Sequence, residues 1–294
     1  MTRPQIKIII LGSNGQVGHA LRKQDLLFQD EFELTFLERN DIDLSSIESI
    51  QHLNQMTFEV LINAAAYTAV DLAEQESELC FSINSHALKE LASICKKKSA
   101  LLIHFSTDYV YHNSLRKPLM ETDPTLPKNV YAISKLQGEE AIKSILDRHV
   151  IIRTSWVFSE NGHNFVKTML KLAASSKELS IVNDQIGSPT YASDLAHATI
   201  LLLKQNLIEP ENKNLLGTFN FSNQGATTWY GFAQEIFLLT NAEITIKPVS
   251  TSEFPRPAVR PPYSVLDCSK ISKLLNLSIP SWQNALSRCL KAMN

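Results

Sequence analysis

The hydrophobic positions in the first half of the chain fall into short unbroken runs, separated by stretches in which they recur every three or four residues. The runs are KIIIL at 7–11, ELTFL at 33–37, FEVLINAAA at 58–66, ALLIHFS at 100–106 and HVIIRTS at 149–155. Continuous apolar runs of this length predict strands buried on both faces, as in a parallel sheet. Between them, QVGHALRKQ, SELCFSINSHALKELASICKKK and YAISKLQGEEAIKSIL space their apolar residues as helices do. Strand and helix alternate, so residues 1–155 are expected to form a Rossmann-type α/β domain with a doubly wound parallel sheet.

After Ser155 the texture changes. NFVKTMLKLAASSKEL reads as a helix, NDQIGSPTYASD as a polar loop and LAHATILLLKQ as a second helix. A strand-like GTFNFSN, a helix TTWYGFAQEIFLLT and the proline-rich FPRPAVRPPYS follow. No low-complexity linker or repeat intervenes. Residues 156–294 are therefore expected to form mainly a smaller substrate-binding lobe packed on the first domain, which can take back later segments.

Composition narrows the function classes. The 294 residues suffice for one large domain with a lobe, at 44% apolar and 20% charged. With 28 basic and 30 acidic residues the formal charge is −2, which excludes nucleic-acid or membrane binding through bulk charge. Cys80, Cys95, Cys268 and Cys289 have no metal-site or dithiol spacing and are expected to be free thiols in a reducing compartment. The apolar run Ile6–Leu11 is too short for a signal segment, and no run approaches about 18 apolar residues. A cytoplasmic protein is expected.

Candidate chemistry lies at the ends of the predicted strands. GSNGQVG joins the first strand to the first helix, placing Gly12, Gly15 and Gly18 where a dinucleotide pyrophosphate needs a tight turn, close approach and close packing. In LERND, after the second strand, Glu38 suits a ribose 2′-hydroxyl and Arg39 a 2′-phosphate. The pair favours NADPH and leaves NADH open. Ser106, Thr107 and Asp108 should emerge at the carboxyl edge of the sheet.

Of the seven tyrosines, Tyr131 alone has a lysine four residues on, Lys135, one helical turn away on the same face. An ammonium there is expected to lower the phenol from its ordinary pKa of about 10. Reaching neutrality would take roughly three units, about 4 kcal/mol. Tyr131 would then give its proton to a developing alkoxide while Thr107 donates to the same oxygen.

Together, GSNGQVG, NAAAYTAVD, STDYV, YAISK and RTSWVF resemble the extended short-chain dehydrogenase/reductases. NFVKTML, NDQIGSPT, TTWYGFA and VRPPYSVLD extend the resemblance over essentially the whole chain, toward the members that reduce keto sugars carried on dTDP. The resemblance implies a catalytic triad of Thr107, Tyr131 and Lys135. It places Gly12, Gly15, Gln16 and Val17 along the pyrophosphate, Ala64, Ala65 and Ala66 beside the cofactor, and Lys135 on the nicotinamide ribose. Tyr109 and Trp156 would flank the sugar, with Asn164, Gln185 and Arg260 toward the nucleotide.

The implied reaction is NADPH-dependent reduction at C4 of dTDP-6-deoxy-L-lyxo-4-hexulose. Its rivals are a reductase or epimerase of another nucleotide sugar and a non-catalytic, cofactor-binding regulatory subunit. The sequence departs from the family pattern at Tyr111 to Ser114, at Ala132 and at Tyr263. Glutamates through which some members bind magnesium at a dimer interface correspond to Ala20, Ser193 and Ala292. No metal site is expected, and the chain should be a monomer or a weak homodimer.

Overall fold

The structure, a computed structural model, describes residues 5–28 and 32–293. The chain begins β1 (Ile6–Leu11), α1 (Gln16–Phe28), β2 (Phe32–Leu37), a short α2 (Ile47–Gln51) and β3 (Val60–Asn63). It continues through α3 (Ser77–Phe81), a π-helical segment Ser82–His86, α4 (Ala87–Lys98), β4 (Leu101–Thr107), α5 (Val130–Ile145) and β5 (His149–Thr154). The second half adds β6 (Val157–Phe158), α6 (Phe165–Ala173), β7 (Glu178–Val182), β8 (Ile186–Gly187), β9 (Thr190–Tyr191) and α7 (Ala192–Ile208). It ends with β10 (Gly217–Asn220), β11 (Thr227–Thr228), α8 (Trp229–Thr240), β12 (Thr245–Val249), α9 (Ser269–Leu275) and α10 (Trp282–Met293).

Six strands form one parallel sheet in the order β10-β5-β4-β3-β1-β2. Alternate side chains of each strand enter opposite cores. Ile8, Ile10, Ile62, Ile103 and Ile152 pack with α1 and α7, whereas Ile9, Leu11, Leu61, Leu102 and Ile151 pack with α4 and α5. Each such side chain contributes about 1.5–3 kcal/mol through burial. The unbroken apolar runs follow directly, since a strand covered on both faces has no polar side to display.

The packing does not divide at residue 155. Strand β10 forms one edge of the main sheet, and α7 and Ile271 of α9 belong to the core on one of its faces. The remaining segments form a separate core around Phe158, Val166, Phe232, Ile236, Trp282 and Leu286.

Three predicted boundaries differ from those observed. The run 58–66 yields a strand of only four residues, because the Asn63 side chain accepts from Ala65 N at 3.1 Å and turns Ala64–Ala66 out of the sheet. The helix beginning at NFVKTML ends at Ala173, where Ser175 Oγ contacts the Lys171 and Leu172 carbonyls at 3.3 Å and competes with helical bonding. The segment NDQIGSPTYASD contains β8 and β9, with β9 paired to β6 and β8 to β11.

Local chemistry aims α5 at the sheet edge. Asn129 caps the helix by accepting from Ala132 N at 2.7 Å, and its amide donates to Val259 O at 2.8 Å, tying the helix start to the C-terminal half. Gly138 allows α5 to press on the π-helical segment, since a Cβ there would lie 2.1 Å from Asn84 O. Glu139 is fully buried and receives Arg153 Nε at 2.8 Å and Nη2 at 2.5 Å, with Ser106 Oγ at 2.6 Å. Arg153 also donates to Tyr111 Oη, which in turn donates to Asn220 Oδ1, so α5, β4, β5 and β10 share one polar network.

Candidate active site

Two cavities open at the carboxyl edge of the sheet. The first, about 670 Å³, is walled by the β1–α1 turn, Ala64–Ala66, Glu38, Arg39, Tyr131 and Lys135. Gly12 adopts φ +76°, and a Cβ there would come within 2.6 Å of Ala65 N, so the turn requires glycine twice over. A Cβ on Gly18 would meet Gly12 O at 2.3 Å; Gly18 serves turn packing and does not line the cavity. Gly15, Gln16 and Val17 do line it, beside the amino end of α1, whose free amide groups and dipole favour an anion.

The second cavity, about 560 Å³, lies between the sheet edge and the C-terminal lobe. Tyr109, Gln185, Trp229, Asp71 and Arg260 are among its lining residues. Arg260 clasps Asp71 through Nη1 at 2.6 Å and Nη2 at 2.7 Å, which holds the Asp71 carboxyl below its usual range. The guanidinium is therefore already paired where it meets the cavity.

Tyr131 and Tyr109 stand at the junction. Tyr131 belongs to the wall of the first cavity and Tyr109 to that of the second, with ring centroids 6.0 Å apart and edge to face. Thr107 ends β4 just behind them. Its hydroxyl accepts from Tyr109 N at 3.2 Å and donates to Asp108 Oδ1 at 3.2 Å.

The electrostatics correct one expectation. The Tyr131 phenol is pushed up from its ordinary value, first by burial, with the Thr107 hydroxyl opposing and Asp108 adding to the rise. Lys135 does not pull it down, because its Nζ turns inward, donating to Phe105 O at 2.7 Å and lying 3.0 Å from His104 Nε2. Burial brings Lys135 itself down to about 8 and, in the opposite sense, pushes Asp108 up to about 7.

Two residues expected near substrate do not line the second cavity. Trp156, at φ +47°, stacks on Trp229 with centroids 3.6 Å apart and backs onto Gly187, where a Cβ would come within 2.6 Å of its ring. It is Trp229 that lines the cavity, and its Nε1 donates to Gln185 Oε1 at 3.1 Å. Asn164 caps α6 and donates to Gln16 Oε1 at 3.0 Å and Ser159 O at 2.8 Å, bracing the first cavity from behind. Trp229 and Asp71 were visible in TTWYGFA and NAAAYTAVD, but nothing local in either motif distinguishes a cavity residue from a core one.

Comparison with known proteins agrees with this arrangement. A family model described as the RmlD substrate binding domain matches residues 6–294. A protein of Salmonella typhimurium named dTDP-4-dehydrorhamnose reductase is 36% identical over 299 residues, covering 98% of each chain. The chain belongs to the dTDP-4-dehydrorhamnose reductase family. Two solved structures of that name superpose closely. That from Clostridium acetobutylicum is 36% identical with a TM-score of 0.89, over 98% of this chain and 99% of that one. That from Bacillus anthracis, solved in complex with NADP, is 35% identical with a TM-score of 0.89, over 98% of this chain and all (100%) of the other.

Family membership and the six-stranded doubly wound sheet thus match what the motifs implied. Among the described residues, no helix is long and apolar enough to cross a membrane, and no group of three or more His, Cys, Asp or Glu side chains is placed to hold a metal.

Proposed function

We propose that the protein reduces the C4 ketone of dTDP-6-deoxy-L-lyxo-4-hexulose to dTDP-L-rhamnose with NADPH. The observation that carries this reading is the position of Tyr131, a half-buried phenol on the wall of a glycine-lined cavity that meets Tyr109 on the wall of the next. The first cavity fits a dinucleotide. Gly12 and Gly15 leave their turn without side chains beside the α1 amino end, and Arg39 lies on the wall with Glu38. The second suits a nucleotide sugar, with Trp229 for stacking and Gln185 and Arg260 for polar groups.

When bound, the nicotinamide supplies the hydride for C4. Of the residues that line the cavity, Gly12, Gly15, Gln16 and Val17 would hold the pyrophosphate, Arg39 the 2′-phosphate, and Ala64–Ala66 would flank the cofactor. Tyr131 supplies the proton for O4. Its raised pKa suits that direction, since a donor must hold its proton until the oxygen becomes basic. Thr107 holds the Tyr109 N–H and has one proton to give. Asp108 takes that proton as a carboxylate and leaves the hydroxyl freer to turn to the ketone as the neutral acid.

The test is NADPH oxidation by the purified protein with the enzymatically generated 4-keto sugar, with NADH run beside it. Oxidation that requires the sugar and is lost in Tyr131→Phe supports the assignment. Cofactor binding with no turnover of any 4-keto sugar nucleotide would move the reading to the regulatory subunit.

A further inference from the structure

The wall of the second cavity holds a chain of hydrogen bonds that proton transfer to the sugar does not use. Trp229, Gln185 and Thr251 all line that cavity. Trp229 Nε1 donates to Gln185 Oε1 at 3.1 Å, Gln185 Nε2 donates to Thr251 Oγ1 at 2.9 Å, and the Thr251 hydroxyl donates to Asp184 Oδ1 at 2.5 Å. Asp184 also receives the Thr251 backbone N–H, at 3.0 Å and 2.9 Å to its two oxygens.

Strand pairing brings these residues together. β7 and β12 run parallel with Val182 opposite Val249, and Asn183 N donates to Val249 O at 2.9 Å, so the chain leaves both strands with Asp184 beside Thr251. Asn183 Oδ1 accepts from Thr228 Oγ1 at 2.7 Å, and Thr228 caps α8 by accepting from Gly231 N at 3.0 Å. Asn183, Asp184 and Gln185 thus tie the start of α8, which carries Trp229, to the segment after β12.

Counting donors and acceptors leaves one arrangement. A hydroxyl has one proton, and a carboxylate takes this one. Burial opposes the charge on Asp184, but the hydroxyl and backbone N–H of Thr251 outweigh it and hold the carboxyl below its ordinary range. The Thr251 oxygen can then only accept from Gln185, whose NH₂ must turn toward it and whose Oε1 must turn toward the indole, which can only donate. With the amide reversed, Oε1 would meet a hydroxyl with no proton left and the NH₂ would face the indole N–H. Trp229 is therefore held at its edge by Gln185 and on its face by Trp156, with ring centroids 3.6 Å apart.

We propose that Thr251 is a positioning residue for the sugar nucleotide. By giving its proton to Asp184 it fixes the Gln185 amide, and through that amide the indole of Trp229. The cavity then meets a nucleoside diphosphate sugar with its aromatic and polar groups already ordered. The inference rests on the reductase reading for the identity of that ligand, whereas the hydrogen-bond chain stands without it. Groups ordered before binding lower the cost of association, so the effect belongs to affinity for the sugar nucleotide and not to the chemical step. Asp184, Gln185, Trp229 and Thr251 do not line the cofactor cavity, so NADPH binding is independent of the chain.

The test cuts the chain at its middle. Thr251→Val removes the hydroxyl but keeps the backbone N–H that Asp184 holds, whereas Thr251→Ser keeps both. Thr251→Ala makes the same cut should the valine variant not fold. In the full-length protein labelled with ¹⁵N at its three tryptophan indoles, Trp229 is identified by the resonance missing from Trp229→Phe. Its N–H should exchange with solvent about tenfold faster in Thr251→Val and at the wild-type rate in Thr251→Ser. In calorimetry dTDP alone should bind Thr251→Val about tenfold more weakly, and KM for the sugar nucleotide should rise by a similar factor with kcat within about twofold of wild type. Thr251→Ser should restore both, with Kd for NADPH the same in all three proteins. Unchanged indole exchange in Thr251→Val, or unchanged dTDP affinity beside a changed indole, would overturn the proposal. So would an equal loss of NADPH affinity, which marks a structural fault. A wild type that binds NADPH but not dTDP would sink the reductase reading instead, and indole exchange would still decide whether Thr251 orders Trp229.

Discussion

The Tyr131 and Tyr109 rings meet edge to face with their planes at 83°, one in each cavity wall. Neither position is set by its own helix alone. Tyr131 is the second residue of α5, capped by Asn129, whereas Tyr109 lies two residues past the end of β4 in a single 3-10 turn, with its backbone N–H held by Thr107. Sheet and helix are locked together by Glu139 and Arg153, so the aromatic junction inherits the rigidity of that ion pair.

Replacing Tyr131 with Phe removes the proton donor and keeps the ring that meets Tyr109. Turnover should fall about 10²–10⁴-fold, with KM for the sugar little changed and thermal unfolding close to wild type. Steady-state kinetics and a melting curve on the same preparation check both parts.

Asp108 should cost stability at neutral and alkaline pH. In the fold, burial above all pushes its carboxyl up from the ordinary 3.8 to about 7. Between those values the folded chain holds the extra proton, so raising the pH through the window withdraws stability, and above about 7 the full penalty is present. Asp108→Asn should therefore raise the melting temperature above pH 7 and have little effect near pH 3.8. The gain should be on the order of a few kcal/mol at most, less whatever the Thr107 contact loses.

The Arg153–Glu139 pair offers a test of packing. Arg153→Met should cost about 3–5 kcal/mol in denaturant unfolding, since it strands a buried carboxylate. Adding Glu139→Gln should recover much of that loss. A cost in the single variant below about 1 kcal/mol would mean the pair does not hold α5.

Arg39 lies on the wall of the first cavity, is 71% exposed at its side chain, and contacts Asp43 at 3.4 Å. Arg39→Ala should raise KM for NADPH about tenfold and leave that for NADH nearly unchanged. Equal effects on both cofactors would assign the 2′-phosphate to another group.

The sheet was legible because burial on both faces writes strands as apolar runs, and the glycine turn because Gly12 and Gly18 occupy positions where a Cβ has no room. What was not legible depends on distant parts of the chain. Asp71 and Arg260 are 189 residues apart, and neither motif alone predicts the pairing. The exchange of Trp156 for Trp229 at the cavity wall depends on which of two stacked indoles backs onto Gly187. The direction of the Tyr131 shift is not legible either, because spacing places Lys135 on the same helix face but does not reveal that Phe105 O and His104 claim its Nζ.

The central claim is net reduction at the sugar, and isotope transfer tests it most directly. The protein should be incubated with the 4-keto sugar nucleotide and NADPH deuterated at the transferable nicotinamide position, and the product analysed by mass and NMR. The account predicts one deuterium at C4 of a 6-deoxyhexose, with one NADPH oxidised per sugar converted. Sugar converted without net NADPH oxidation, or product lacking deuterium at C4, would contradict it.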